Sequence, residues 1–296
     1  MGHCLREHHG AYWYRVIRQT PAQGVTMTIS LGVIGGGNMA QAIIAGVQRT
    51  APNLVNAVVA EPNVETRNTL STMGINTVNS AREVMATNDY IMLAVKPQVL
   101  PGVCQDIASE LRPNQCIISI AAGITIRSIR NALGDVSNPV IRVMPNTPAL
   151  VGEGMSALVS DRSLDAQHRE AASIVFDACG LTCWLENEDV IDSVTAVSGS
   201  GPAYFFLMIE SMVRSAIRLG IPPETAKTLV IQTAKGASAM VETSDVGPDV
   251  LRQRVTSPGG TTAAALKVFD DDDYGDLIDR AMIAARDRAG ALSKDA

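Results

Sequence analysis

Between residue 28 and about residue 188, short apolar runs alternate with amphipathic stretches. Ile29–Ile34, Ala57–Ala60, Tyr90–Val95, Cys116–Ala121 and Val140–Met144 are compact, mostly uncharged and rich in Val, Ile and Leu. Runs of about 4–8 such residues read as strands buried on both faces. The stretches between them, such as Val99–Leu111 and Ile126–Leu133, carry helical spacing. Strands alternating with helices predict a mostly parallel sheet covered by helices on both sides. A shorter series of the same kind, Met155–Ser160, Leu164–Cys179 and Thr182–Leu185, extends that sheet.

After Asp189 the period changes and no strand is expected. Ser200–Leu219 reads as one long helix, stopped by Gly220 with Pro222 and Pro223 behind it. Pro223 opens the next helix, to about Thr243, with a small-residue face at Ala234, Gly236, Ala237 and Ala239. The helix from Pro202 is apolar over most of its circumference: Phe205, Phe206, Leu207, Ile209, Met212, Val213 and Ile217. Such a helix must be covered on all sides. Burial in a homodimer is the expectation; cover by its own chain is the alternative.

Composition narrows the class. Of 296 residues, 46% are hydrophobic and 18% charged, which suits a packed core. A net charge of −6 argues against nucleic acid as partner. No segment reads as a membrane span; Ser193–Ile209, a long uncharged stretch, is broken by SGSGP. Cys4, Cys104, Cys116, Cys179 and Cys183 contain no CxxC pair, as expected of reduced thiols in a cytoplasmic protein. Residues 1–26 lack the apolar core of a secretory signal and read as a disordered extension or tag. His3, Cys4, His8 and His9 lie there as conceivable metal ligands, but no metal site is expected. The expected domains are 27–188 and 189–296.

Chemistry enters at Gly35-Gly36-Gly37-Asn38-Met39-Ala40, a GxGxxA directly after a strand and opening a helix. Gly35 permits a tight turn, Gly37 close approach of a pyrophosphate, and Ala40 close packing of helix on strand. The helix start offers N–H groups to phosphates. Strand, turn and helix in this order make a dinucleotide the expected ligand and the first domain Rossmann-type, a doubly wound sheet followed by an all-helical dimerisation domain. Glu61 ends the second strand, where an acid hydrogen-bonds the adenosine ribose and disfavours an extra phosphate. That leans towards NADH or dual use; Glu61 as a solvated strand end is the plain alternative. Ala94-Val95-Lys96-Pro97 and Ile120-Ala121-Ala122 also lie at strand ends, where open α/β sheets bind ligands. Lys96 is either a cofactor contact or a surface lysine closing a strand.

Val255-Thr256-Ser257-Pro258-Gly259-Gly260-Thr261-Thr262 precedes an Ala-rich helix. Ser257 or Thr256 is expected to cap that helix, with Gly259 and Gly260 exposing N–H groups, an arrangement suited to a carboxylate. An ordinary capped turn is the alternative. Outside the first 26 residues the only histidine is His168, expected to face solvent in a polar helix start. An alcohol dehydrogenase needs a base for the hydroxyl proton. A reduction that asks less acid–base help, such as hydride addition to a protonated imine, fits better.

GVIGGGNMA at Gly32–Ala40, LAVKPQ at Leu93–Gln98, MPNTP at Met144–Pro148, SGSGPAYFF at Ser198–Phe206 and VTSPGGTT at Val255–Thr262 resemble the pyrroline-5-carboxylate reductase family, in order from Met27 onward. The resemblance implies reduction of Δ1-pyrroline-5-carboxylate to L-proline by NAD(P)H. It also implies a helical dimerisation domain and, in many members, a pentamer of dimers. It puts Ile34, Gly35, Gly36, Gly37, Asn38, Met39, Ala94, Val95, Lys96, Pro97, Ile120, Ala121 and Ala122 on the cofactor. Ser257, Gly259, Gly260 and Thr261 fall at the substrate, Thr262 near the ring nitrogen as the catalytic position, and Asp245 beside the iminium. Glu61 departs from the serine of many NADPH-using members. A β-hydroxyacid dehydrogenase would need a lysine on the first long helix of the second domain, and none lies between Ser198 and Gly220. A non-catalytic nucleotide sensor on the same fold would not need the VTSPGGTT cluster.

Overall fold

The computed structural model describes residues 28–294; the first 26 residues and their candidate metal ligands lie outside the described residues. The chain runs β1 (Ile29–Ile34), α1 (Asn38–Thr50), β2 (Val55–Ala60), α2 (Val64–Thr72), β3 (Asn76–Val78), α3 (Ala81–Thr87) and β4 (Tyr90–Leu93). It continues with α4 (Leu100–Ile107), β5 (Cys116–Ser119), α5 (Ile126–Ala132), β6 (Val140–Met144), β7 (Gly154–Ser160), α6 (Ala166–Asp177) and β8 (Gly180–Trp184). Six helices follow: α7 (Ile191–Val194), α8 (Gly201–Arg218), α9 (Pro223–Thr243), α10 (Pro248–Arg254), α11 (Thr261–Asp271) and α12 (Tyr274–Lys294).

The strands form one sheet in the order β3-β2-β1-β4-β5-β6-β7-β8. Neighbours are parallel except β6 and β7, where Met144 faces Ala157 in an antiparallel pair. The alternation of side chains along each strand feeds two core layers. Leu31, Val33, Met92 and Ile118 pack with Ile43, Ile44 and Val47 of α1 and Phe176 of α6. Ile91, Leu93 and Ile117 pack on the other side with Val84 of α3, Leu100 and Ile107 of α4, and Ile129 of α5. Burying one such side chain stabilises the fold by about 1.5–3 kcal/mol. Both faces of the sheet are therefore apolar, and the strands read as continuous runs.

Two elements differ from expectation. β3 was not foreseen: three residues, Asn76–Val78, at the sheet edge leave no readable period. The helix expected over Val99–Leu111 is shorter, Leu100–Ile107, flanked by 3-10 turns at Pro97–Val99 and Ala108–Glu110. Pro97 and Pro101 each take a position in the first turn of their element, where no backbone donor is needed.

The described residues divide into two compact units, Ala203–Arg280 and residues 28–202 together with those from Ala281 on, so α8 and α12 each cross a boundary. In the sheet unit, Gly123 lies beside Leu292 near the end of α12. Between α7 and α8 the helix widens into a π-turn, Thr195–Gly199. The buried Asn146, after β6, holds it: Nδ2 donates to the Ser198 carbonyl at 2.9 Å and Oδ1 accepts from Met155 N at 2.8 Å. In the helical unit, taken as a single chain, α8 exposes Phe205, Phe206 and Leu207 at 68%, 63% and 62%. No strand follows β8 among the described residues.

Candidate functional site

The strand order turns at β1 and β4, whose following connections leave on opposite sides; this switch point is where an open α/β sheet makes its ligand crevice. A cavity of about 740 Å³ lies there, beyond the carboxyl ends of β1, β2 and β4. Gly35 turns the chain sharply with φ of +102°, and a Cβ there would meet the Ala94 carbonyl oxygen at 2.8 Å. Gly36 is as confined: a Cβ would stand 2.7 Å from Leu70 Cδ1. Gly37, by contrast, is exposed with open space where its Cβ would be. It is also the N-cap of α1, without any side-chain cap, so the first N–H groups of a 13-residue helix are left for a ligand. These are the features a dinucleotide pyrophosphate requires, and the cavity fits one.

Glu61 is not a loose strand end. Its Oε2 accepts from Gly36 N and its Oε1 from Asn63 N, both at 2.9 Å. Arg67 braces the same corner through Nη1, donating to the Glu61 and Pro62 carbonyls at 2.7 and 2.8 Å. The carboxylate thus fastens the end of β2 to the glycine turn while still lining the cavity.

Of the residues expected on the cofactor, Ile34, Gly35, Gly36, Gly37, Glu61, Ala94, Val95 and Lys96 line this cavity. Asn38 and Met39 form the first turn of α1, and Pro97 opens the 3-10 turn after Lys96. Ile120, Ala121 and Ala122 follow β5 outside the cavity wall, with Ala121 buried and Ala122 exposed. Asn79, Ser80 and Arg82 line the cavity and were missed by sequence reasoning. Their signal was faint: Ser80 caps α3 by accepting from Arg82 N at 3.2 Å, but the strand ahead of it was too short to recognise.

In the helical unit, Gly260 is the N-cap of α11 and no side chain caps that helix. This corrects the expectation that Ser257 or Thr256 would cap it. Thr256 Oγ1 donates backwards to the Arg252 carbonyl at 2.6 Å, closing α10 instead. The turn is made by backbone: Gly260 N donates to Ser257 O at 3.0 Å, and Gly259 takes φ of +70°. Ser257 and Thr261 are exposed and Thr262 is half-buried in the first turn of α11. Asp245 is exposed in the connection between α9 and α10.

His168 is also corrected. It does not face solvent: its side chain is 17% exposed, with Nδ1 3.3 Å from Tyr90 Oη and the two rings edge to face. Asp165 holds the backbone N–H of His168 as a helix cap. Burial pushes the Tyr90 hydroxyl up to about 12. Tyr90 begins β4, so this pair sits at the opposite end of the strand from the cavity. The thiols of Cys104 and Cys116 are pushed up to about 12 by burial, so neither is an available nucleophile. No group of His, Cys, Asp and Glu among the described residues is arranged to hold a metal, and no helix among them is long and apolar enough to cross a membrane.

Residues 188–292 match the family model for pyrroline-5-carboxylate reductase dimerisation, and residues 30–123 match that for NADP oxidoreductase coenzyme F420-dependent. The pyrroline-5-carboxylate reductase of Pseudomonas aeruginosa is 42% identical over 268 residues, covering 90% of this chain and 98% of that protein. Among solved structures, the pyrroline-5-carboxylate reductase of Coxiella burnetii is similar with a TM-score of 0.83 at 35% identity, covering 90% of this chain and 99% of that one. The pyrroline carboxylate reductase of Plasmodium falciparum, solved with NADP bound, has a TM-score of 0.79 at 31% identity, covering 90% and 98%.

Proposed function

Because this chain belongs to the pyrroline-5-carboxylate reductase family, we propose that it reduces Δ1-pyrroline-5-carboxylate to L-proline with NAD(P)H, closing proline biosynthesis. The observation that carries the reading on this chain's own residues is the crevice beyond β1, β2 and β4, with its open Gly37 and its uncapped α1 start. The nicotinamide dinucleotide supplies the hydride. Ile34, Gly35, Gly36, Gly37, Asn38 and Met39 hold the pyrophosphate and its neighbours, and Glu61 the adenosine ribose. Ala94, Val95, Lys96 and Pro97, with Ile120, Ala121 and Ala122, border the nicotinamide half. Glu61 favours NADH or use of both cofactors, because a carboxylate repels a phosphate close to it.

The α11 start serves the substrate. Ser257, Gly259, Gly260 and Thr261 take the carboxylate, drawing on backbone N–H groups that no side chain caps. Thr262 hydrogen-bonds near the ring nitrogen and keeps the imine carbon in position, with Asp245 adding negative charge for the iminium. A protonated imine is electrophilic at carbon and takes hydride without a protein base, which agrees with His168 lying at the far end of β4.

Self-association as a homodimer through α8, and a pentamer of dimers beyond it, complete the proposal. The exposed Phe205, Phe206 and Leu207 support the first step. A cytoplasmic location is supported by the free thiols of Cys104, Cys116, Cys179 and Cys183. The test is oxidation of NADH and NADPH by purified protein with pyrroline-5-carboxylate, beside a β-hydroxyacid run in reverse. Turnover confined to the imine supports the proposal; turnover of the hydroxyacid alone overturns it.

A further inference from the structure

The residues beyond β3 add a feature that the GxGxxA turn and Glu61 do not account for. β2 and β3 leave the sheet side by side, since Glu61 N donates to the Val78 carbonyl at 3.1 Å. Glu61 and Asn79 therefore stand next to each other at the cavity mouth, and Ser80 and Arg82 continue the same wall. A ribose held at Glu61 would therefore share the cavity with the Asn79–Arg82 segment.

The cations around the cavity differ in what they have left to offer. Arg67 spends Nη1 on the Glu61 and Pro62 carbonyls and is not part of the wall. Lys96 lines the cavity after β4, two strands away from β2. Arg82 lines it together with Glu61, and among the described residues its guanidinium meets only a loose surface partner, Nε to Glu110 Oε1 at 3.6 Å, with side chains 73% and 41% exposed. An exposed pair of that kind contributes little and yields readily to a doubly charged anion. The Arg82 backbone is pinned meanwhile by its N–H bond to Ser80 Oγ.

We propose that Arg82, with the Ser80 hydroxyl and the Asn79 carboxamide beside it, receives the 2′-phosphate of a phosphorylated dinucleotide. The cleft then takes both cofactors: Glu61 meets the free ribose hydroxyls of NADH, and Arg82 offsets the charge that Glu61 would otherwise repel in NADPH. A guanidinium suits this task, since its planar fork pairs with phosphate oxygens through two N–H groups. The inference rests on the reading of the cleft as a dinucleotide site.

Calorimetric titration of the full-length protein tests it without turnover, using NADPH, NADH, adenosine 2′,5′-bisphosphate and 5′-AMP as probes. Arg82→Gln is expected to weaken NADPH and the bisphosphate by about tenfold or more, as loss of a charge-assisted pair does, and to leave NADH and 5′-AMP unchanged. Arg82→Lys is expected to recover part of the loss, as a point charge without the fork. Unchanged NADH binding also reports that the variants fold. Equal weakening of NADPH and NADH, or no change in either, overturns the role of Arg82 while the cleft reading stands. Wild type binding neither dinucleotide overturns both.

Discussion

The Glu61 carboxylate accepts the backbone N–H of Gly36 at 2.9 Å and so ties the end of β2 to the turn after β1. A residue expected to read the cofactor is therefore also part of the frame that holds the glycine turn. Its second oxygen takes Asn63 N, which sets the entry into α2. Substitution at Glu61 acts on selectivity through charge and on affinity through the shape of the turn.

Glu61→Ser removes the charge that disfavours a 2′-phosphate. The ratio of kcat/KM for NADPH over NADH is expected to rise by at least about tenfold, or 1.4 kcal/mol. Glu61→Gln, which keeps an oxygen for Gly36 N, is expected to keep NADH affinity better than the serine does. An unchanged cofactor ratio in both variants would remove Glu61 from the adenosine site.

At the α11 start, Thr262→Ala is expected to lower kcat/KM for pyrroline-5-carboxylate by roughly 10- to 1000-fold, from a lost hydrogen bond and a misaligned imine carbon. The dissociation constant for NADH should stay as it is. Activity should fall as pH rises through the pKa of the imine itself. His168→Ala is the comparison: kcat/KM is retained, but the melting temperature drops, because the ring packs on Tyr90. Near-normal turnover in Thr262→Ala would sink the assignment.

Phe206 is 63% exposed in the single chain, on a helix whose neighbours Phe205 and Leu207 are equally bare. Phe206→Asp is expected to yield monomers by light scattering, since covering an unpaired carboxylate costs several kcal/mol. A wild type that is monomeric at micromolar concentration would remove the dimer from the proposal.

Arg130, 5% exposed, grips Asp161 with two N–H groups at 2.7 and 2.8 Å and also donates to the Val136 and Asn138 carbonyls. Arg130→Met is expected to cost about 2 kcal/mol or more in urea denaturation, because buried acceptors are left unmatched. The hydrogen-bonded guanidinium holds the Asp161 carboxyl below its ordinary value. A lowered folded-state pKa gives stability above the unfolded carboxyl pKa and loses it as pH falls through the folded one. The gap between wild type and Asp161→Asn should therefore be full at neutral pH and close in acid, below about pH 4. A gap that does not depend on pH would mean the pair matters only as packing.

The amino-acid order by itself determined the class and the sequence of elements. Runs such as Ile29–Ile34 are apolar at all positions but Ser30 because both faces of a parallel strand are covered, and that needs no knowledge of partners. The helix stop at Gly220 and the helix start at Pro223 were equally legible, being local backbone chemistry. Tertiary structure alone decided what depends on neighbours distant in the chain. It set the antiparallel turn of β7 against β6 and the pairing of three-residue β3 with β2, which brought Arg82 to the cavity of Glu61. It packed His168 against Tyr90, 78 positions away, where the polar helix start had suggested solvent. It also left the α11 start to Gly260 rather than to a serine or threonine, because Thr256 found a nearer carbonyl at Arg252. A side-chain hydroxyl or guanidinium bonds to whatever the fold sets within about 3 Å, and the linear order does not carry that distance.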